Sequence, residues 1–333
     1  MNLKETLLDY EAKGLLYKQV HPTLPLTIWN YTDKCQYDGA WDDITLMCRG
    51  LVTDDLGNIV ARPLRKFFNL EEGRHEPTKD FDVYEKEDGS LIILFFYDGQ
   101  WIVASRGSFT SDQAVWAREL VYDKDLRRLQ EPLTYVFELI HPENRICVDY
   151  GGRKELIFLT SFHTEYGNEF ITIPPLGTTC VKQYDGLKDI SALKSLIENN
   201  REGFVVKFSN GHRVKIKGEE YLRLHRLMTC LSTTSVWEVL SGGGTIADVL
   251  VNVPDEFYEL IHSYEKSLIE EYDRVLSNAL VDFVEAVSNT TSRKEFADFV
   301  KDKQHKRLLF NLYDKKSVKK EIWNIIKPKY KKL

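Results

Sequence analysis

Lys86-Glu87-Asp88-Gly89-Ser90-Leu91 combines an amine, two carboxylates and a turn-forming glycine within six positions. It follows a β-prone run, residues 81–85, and precedes a very apolar one, residues 91–97. Asp88-Gly89 reads as a tight turn in which glycine supplies a positive φ. Lys86 then stands at a strand end, where a ligand can come close to the backbone, and a lysine so placed can act as a covalent nucleophile. A free lysine amine titrates at about 10.4. Nucleophilic use therefore calls for burial and neighbouring cations that disfavour the charge.

Further along, a second constellation supplies such cations. Residues 202–217 read as a hairpin with Asn210-Gly211 as a two-residue loop. In that register Lys215 faces Val206 and Lys217 faces Phe204. Side chains alternate along a strand, so Glu202, Lys215 and Lys217 share one face while Val205, Val214 and Ile216 take the other. One acid and two lysines on a face suit a metal-bound polyphosphate, the acid toward the cation and the lysines toward phosphate oxygens. A salt-bridged, solvated face is the alternative. A third feature is Glu138, a lone acid in the apolar run 133–140. A buried carboxylate needs a partner, either a structural arginine such as Arg145 or a ligand hydroxyl.

The elements that must carry these residues are mostly strands up to about residue 217 and helices after it. Residues 3–18 read as a helix, 26–31 as a strand, and 47–53 and 59–62 as two more around the turn residues 54–58. Arg49 and Lys66 fall on strands expected to pair and are phosphate-binding candidates. Asp98-Gly99 marks a hairpin between runs 91–97 and 101–105. It leads into Ser105-Arg106-Gly107-Ser108, small residues around an arginine that suit an oxyanion. Residues 111–130 and 190–199 read as helices, and 156–162 with 169–173 as a β pair. From Tyr221 the texture is helical, one helix running to Cys230. Ser235 with Glu238 and Ser292 with Glu295 have capping-box spacing. A long helix opening at Pro254 has Phe257, Leu260, Ile261, Tyr264 and Leu268 at helical spacing. The domain boundary is expected near residue 235, giving 1–234 and 235–333.

Composition narrows the class. The length allows one large domain or two modest ones. Five cysteines, Cys35, Cys48, Cys147, Cys180 and Cys230, are odd in number and lack a C-x-x-C pair, which argues for a reducing compartment and against disulfides or zinc. The longest apolar run, residues 91–97, is too short to span a bilayer, and no N-terminal signal pattern is present. The net charge of −6 is uneven: residues 301–333 carry +9, leaving −15 on the rest. Such a basic tail is either a patch for a polyanion or a solvated helix face. Phe310, Tyr313, Trp323 and Tyr330 interleave with it, as in segments that hold a strand by charge and stacking.

Taken together, these motifs resemble a known superfamily. Lys86-Glu87-Asp88-Gly89 matches the K-x-D-G motif of covalent nucleotidyltransferases. Residues 105–108, Phe137-Glu138-Leu139, residues 202–207 and Lys215-Ile216-Lys217 follow in that superfamily's order. Cys48-Arg49-Gly50, residues 66–70 and Asn144-Arg145-Ile146 narrow the resemblance to the bacteriophage RNA ligase 1 family of tRNA-repair ligases, over roughly residues 25–230. The resemblance implies an α+β fold: an antiparallel-rich, ATP-grasp-like ligase core with adenylyltransferase activity, then a smaller all-helical domain, whose RNA contacts are expected from the basic tail rather than from the resemblance. It implies ATP- and Mg²⁺- (or Mn²⁺-) dependent joining of RNA 5′-phosphate and 3′-hydroxyl ends by a cytoplasmic monomer, encoded by a virus or by a cell. By position, Lys86 matches the adenylated lysine and Glu138 the acid that contacts ribose. Glu202 matches the acid linked to metal and nucleotide, Lys215 and Lys217 the phosphate lysines, Arg49 and Lys66 residues near the phosphates, and Tyr31 a nucleotide-site tyrosine. Arg106 departs from the family's lysine, and a guanidinium binds phosphate as a fork rather than as a point charge. The alternatives are a DNA ligase, a capping guanylyltransferase, or a non-catalytic RNA-binding protein.

Overall fold

The structure is a computed structural model that describes residues 2–74, 77–78, 80–170, 173–228, 232–250, 253 and 258–328. Cys230, Pro254, Phe257 and Tyr330 lie outside the described residues. The chain divides into two compact units, Met1–His225 and Arg226–Leu333.

Among the described residues the first unit holds three sheets. A helix, Leu3–Ala12, starts at a capping box in which Asn2 and Glu5 satisfy each other's backbone N–H. The expected helix to residue 18 stops there, because Leu16–Val20 pairs as strand β1 with β2 (Leu26–Tyr31). β3 (Arg49–Asp54) and β4 (Ile59–Ala61) complete a 4-stranded antiparallel sheet. The chain then contributes β5 (Phe68–Asn69) and β6 (Phe81–Lys86) to a 5-stranded sheet that is finished only later.

At Glu87-Asp88-Gly89 the chain changes sheets. β7 (Ser90–Tyr97) and β8 (Gln100–Ser105) form a hairpin whose turn, Asp98-Gly99, has φ of 48° and 76°. This is the primed geometry that the Asp-Gly pair favours. β7 is central to a 6-stranded sheet with β9 (Leu133–Ile140), β10 (Glu155–His163), β11 (Glu169–Phe170) and β12 (Thr179–Cys180). Both faces of β7 are covered. Ile92 and Leu94 pack with Phe137, Val103 and the helix residues Ala117 and Val121. Ile93 and Phe95 pack with Leu26, Ile28 and Val52 of the first sheet. An unbroken apolar run is what a strand buried on both faces requires.

β13 (Gln183–Tyr184), β14 (Gly203–Phe208) and β15 (Arg213–Lys217) complete the 5-stranded sheet, in the order β13-β6-β14-β15-β5. Val83, Phe204, Val206, Phe208, Val214 and Ile216 form its core with Leu193. The helix expected over 190–199 is a short 3-10 turn, Leu193–Leu196. The helix expected over 111–130 covers only Asp112–Tyr122, since Asp125 then caps a separate 3-10 turn at Leu126–Arg128.

The second unit is helical in its described residues. Thr233–Ser241, Ile246–Leu250, Tyr258–Asn289, Arg293–Val300, Lys306–Tyr313 and Lys319–Ile325 pack around Trp237, Ile261, Val275, Phe296, Leu308 and Ile322. Ser292 caps its helix as expected, but Ser232 rather than Ser235 caps the helix at Thr233. Of the described tail aromatics, Trp323 is a core residue, 5% exposed with its ring 5.3 Å from Tyr272, while Phe310 and Tyr313 are half-buried and pack on Phe296 at 5.7 and 4.4 Å. Trp323 is therefore not available for the expected stacking on a nucleic-acid strand, while Phe310 and Tyr313 keep part of their surface exposed. Among the described residues no helix is long and apolar enough to cross a membrane.

Candidate active site

Lys86 ends β6, and the backbone register sets what it meets. Gly203 of β14 is paired with Lys86 on one side and with Lys217 of β15 on the other. The two lysines therefore flank a residue without a side chain. Glu202, one residue outside the ladder, reaches into this slot. Its Oε2 lies 2.7 Å from Lys86 Nζ and its Oε1 2.9 Å from Lys217 Nζ. Only glycine fits at 203: φ is +150°, and a Cβ would lie 1.9 Å from the Ile216 carbonyl oxygen. Burial pushes the Glu202 carboxyl up, but Lys217 and Lys86 outweigh it and hold the group below the usual carboxylate range.

This arrangement corrects the expected hairpin register. Lys215 pairs with Val205 and Lys217 with Gly203, one step away from the partners a two-residue loop dictates. The loop has three residues: Phe208 N–H donates to His212 O, and Gly211 at φ +86° takes the left-handed position of a bulged turn. Val205 consequently lies on the face of Lys215 and Lys217, while Phe204 joins Val214 and Ile216 in the core. Glu202 still meets the lysines because the unusual backbone at Gly203 redirects the chain.

Glu138 projects from β9, beside β7, where it pairs with Leu91. Its Oε1 accepts the Gly89 N–H at 3.2 Å. Burial pushes its carboxyl up to about 7, against the opposing pull of Lys86. Arg145 is not its partner; that guanidinium pairs with Asp149 at 3.2 Å. Gly89 has no positive φ. It is glycine because a Cβ there would lie 2.3 Å from the Leu139 carbonyl oxygen. The Lys86 turn is thus pressed directly against the strand that carries Glu138.

Asp88 holds the turn in place. It is 3% exposed; Oδ2 accepts the N–H groups of Cys147 and Val148, each at 2.8 Å, and Oδ1 accepts the Tyr221 hydroxyl at 2.7 Å. Tyr150 Oη accepts the Asp88 N–H at 2.7 Å and donates to Glu87 at 3.1 Å. Burial first, then the surrounding carboxylates, keeps both tyrosine hydroxyls protonated as donors. Tyr221 also places its ring 5.1 Å from Lys217 Nζ. Sequence reading placed Asp88 in the turn and the K-x-D-G motif but missed the hydrogen bonds it makes. It also missed the roles of Tyr150 and Tyr221, for which the spacing Lys217 to Tyr221, four residues across a strand-to-helix junction, was a local signal.

The remaining candidates fall around this centre. Arg49 begins β3, lies over the Phe67 ring at 5.8 Å and acts on Glu138 as a nearby cation. Lys66 is not on a strand paired with β3, as expected; it lies in the connection between β4 and β5, with its N–H donated to Leu46 O at 2.8 Å. Its ammonium is 5.3 Å from each of the Tyr31, Trp41 and Phe68 rings, so Lys66 and Tyr31 share one aromatic cluster. Arg106 follows β8 with an exposed side chain, its N–H bonded to Leu91 O and its carbonyl accepting from Asn30 Nδ2. Lys215 is half-buried on β15 beside Asn69. Among the described residues no group of three or more His, Cys, Asp or Glu forms a metal cluster.

The mixed α+β fold, in which Lys86 stands where the chain crosses between two antiparallel sheets, is a nucleotidyltransferase fold. The fold is similar to that of an archaeal ATP-dependent RNA ligase, with a TM-score of 0.51 and 14% identity over 90% of this chain and 86% of that one. A sequence profile of the RNA ligase family, of the bacteriophage RNA ligase 1 type, matches residues 47–221, and the chain belongs to that family. Among relatives, a protein named as an RNA ligase in Thermovibrio ammonificans is 31% identical over 53% of this chain and 51% of its own length. One named as a bifunctional polynucleotide kinase/RNA ligase in Autographa californica nuclear polyhedrosis virus is 24% identical over 69% of this chain and 36% of its own length. The chain thus spans about half or less of the length of these curated relatives.

Proposed function

We propose that this chain is an ATP-dependent RNA ligase working through a lysyl-AMP intermediate on Lys86. The observation that carries the reading is the Lys86–Glu202–Lys217 row at the sheet seam, with Glu138 pressed against the same turn. Three steps follow. The Lys86 amine, having lost a proton, bonds to the α-phosphorus of ATP while the bond to the pyrophosphate oxygen breaks. A 5′-phosphate oxygen of RNA then attacks that phosphorus, the P–N bond breaks, and AMP is joined to the RNA end. Finally a 3′-hydroxyl attacks the RNA 5′-phosphorus, loses its proton and expels AMP. Phosphoryl transfer of this kind depends on in-line positioning and charge stabilisation. Lys217, Lys215, Arg49 and Lys66 are the cations for the phosphates, and Arg106 adds an exposed guanidinium. Glu138 and Tyr31 serve the nucleoside.

Glu202 and Glu138 are hard oxygen donors of the kind Mg²⁺ or Mn²⁺ takes. Glu202 is the residue that would hold such a cation, while Glu138 faces the nucleoside. When bound, the cation supplies positive charge against the triphosphate. Lys86 must in any case leave its ion pair with Glu202 before attack.

DNA ligases and capping enzymes usually carry a β-rich OB-fold after the catalytic domain. The helical second unit favours the RNA ligase reading over both, and we assign it to RNA contacts, with residues 1–234 as the adenylyltransferase part. The non-catalytic RNA-binding reading is weakened by the burial of Trp323 and the packing of Phe310 and Tyr313 on Phe296. We infer action in the cytoplasm as a monomer. Incubation with labelled ATP or GTP, a divalent cation, and 5′-phosphorylated RNA or DNA strands tests the assignment. ATP-dependent sealing of RNA supports it; GTP dependence or sealing of DNA alone rejects it.

A further inference from the structure

The turn between β10 and β11 carries an aromatic platform outside the site described above. Tyr166 is 68% exposed, and its ring stacks on His163 at 4.5 Å with 25° between the planes. One face of the tyrosine is therefore backed and the other is open. Phe170, 44% exposed, lies 6.3 Å from His163 on the same hairpin. The turn is held rigidly: Gly167 N–H donates to His163 O and His163 N–H to Asn168 O, each at 2.8 Å.

Cations adjoin it. Arg62 packs beneath the turn, its Nε donating to Thr164 O at 2.7 Å and its Nη2 to Glu165 O at 3.2 Å. Arg65 follows three residues later and is more than half exposed, paired with the surface carboxylate of Asp43. Of the acids nearby, Glu169 is engaged by Lys207 and Arg213, while Glu165 is exposed in the turn. The same segment leads to the candidate active site. Arg62 and Lys66 are four residues apart, so their Cα atoms lie within roughly 14 Å of each other even if the chain is fully extended.

We propose that the open face of Tyr166, backed by His163 and with Arg62 beneath its turn, is a stacking site for an unpaired base of the RNA strand whose end enters the Lys86 centre. Every base has a π face, so an aromatic platform beside guanidinium groups holds single-stranded RNA without reading its sequence. The guanidinium beneath the platform and the short path to Lys66 favour a phosphate-bearing strand as the occupant. The proposal rests on the RNA-joining reading given above.

The test uses the full chain and a labelled, 5′-phosphorylated single-stranded RNA oligomer, with binding followed by fluorescence anisotropy. Self-adenylation with labelled ATP is measured on the same preparations. Tyr166→Ala is expected to weaken RNA binding about 10-fold, within the range of one base–aromatic stack. Tyr166→Phe, which keeps the ring, is expected to bind as the parent does, and both variants to form the adduct normally. Unchanged binding by Tyr166→Ala overturns the proposal. So does an equal loss in Tyr166→Phe, which would assign the effect to the hydroxyl, or loss of adduct formation in Tyr166→Ala, which would make the turn structural. A parent that neither binds RNA nor adenylates itself instead overturns the ligase reading.

Discussion

The Nζ of Lys86 lies 2.7 Å from Oε2 of Glu202, and the other oxygen of that carboxylate is 2.9 Å from Lys217. One acid thus holds two amines together across three strands. Glu202 is 3% exposed, so removing its charge leaves two ammonium groups facing each other in a largely desolvated slot. Breaking a buried ion pair from one side costs about 3–5 kcal/mol. Lys86 is partly exposed, which moves the expectation to the lower end.

Glu202→Gln should therefore destabilise the protein by about 3 kcal/mol in urea unfolding, and slow self-adenylation about 100-fold. Because the carboxyl is held below its ordinary value, its contribution is present above the normal carboxylate range and is lost as pH falls through and below it. The variant should show a flatter acid limb of stability than the parent. An unchanged acid limb would remove Glu202 from this role.

Glu138 has the opposite sign. Its folded value is raised from 4.5 to about 7. The stability it contributes is fully present below about pH 4.5 and is lost as pH rises through 7. Glu138→Gln removes that dependence. The stability of the variant relative to the parent should increase by about 3 kcal/mol between pH 4.5 and pH 8. Parallel stability profiles for the two proteins would show that the carboxyl is not strained in this way.

Asp88 should matter more for folding than for charge. Its carboxylate satisfies two backbone N–H groups and the Tyr221 hydroxyl, all buried. Asp88→Ala leaves three donors without an acceptor and should cost about 3–5 kcal/mol. Tyr221→Phe removes one hydrogen bond and should cost about 1–2 kcal/mol. Equal losses in denaturant unfolding would contradict this division.

The basic tail is best tested by charge alone, since Ile322, Trp323 and Ile326 are buried and deleting residues 315–333 would remove them. Lys315, Lys316, Lys319 and Lys320 are exposed. Changing all four to Gln should leave self-adenylation intact. It should flatten the salt dependence of RNA joining by about 0.7 in log–log slope for each RNA phosphate that a lysine no longer neutralises. An unchanged slope would make this face merely solvated.

What the sequence revealed was mainly local. The apolar run of β7, the Asp98-Gly99 hairpin and the strand of Glu138 follow from period and turn chemistry. The lysines of β15 were placed on one face correctly, although the loop holds three residues rather than two. A Gly at the left-handed position serves either turn, so Asn210-Gly211 alone does not fix the register. The partners of Asp88 were out of reach because they lie 59, 60 and 133 residues away. The same holds for the aromatic ring of Lys66, drawn from three separate segments, and for the packing that removes Trp323 from solvent. Local pattern gives faces; chain crossings between sheets give sites.

The central claim is that the Lys86 amine becomes bonded to the α-phosphorus of ATP. Incubation of the parent with α-labelled ATP and a divalent cation, followed by denaturation, should leave label on the protein in an acid-labile bond. Lys86→Ala should retain none, and neither should Lys86→Arg, whose guanidinium stays protonated. Label of parental intensity on Lys86→Ala would place the nucleophile elsewhere and contradict the account.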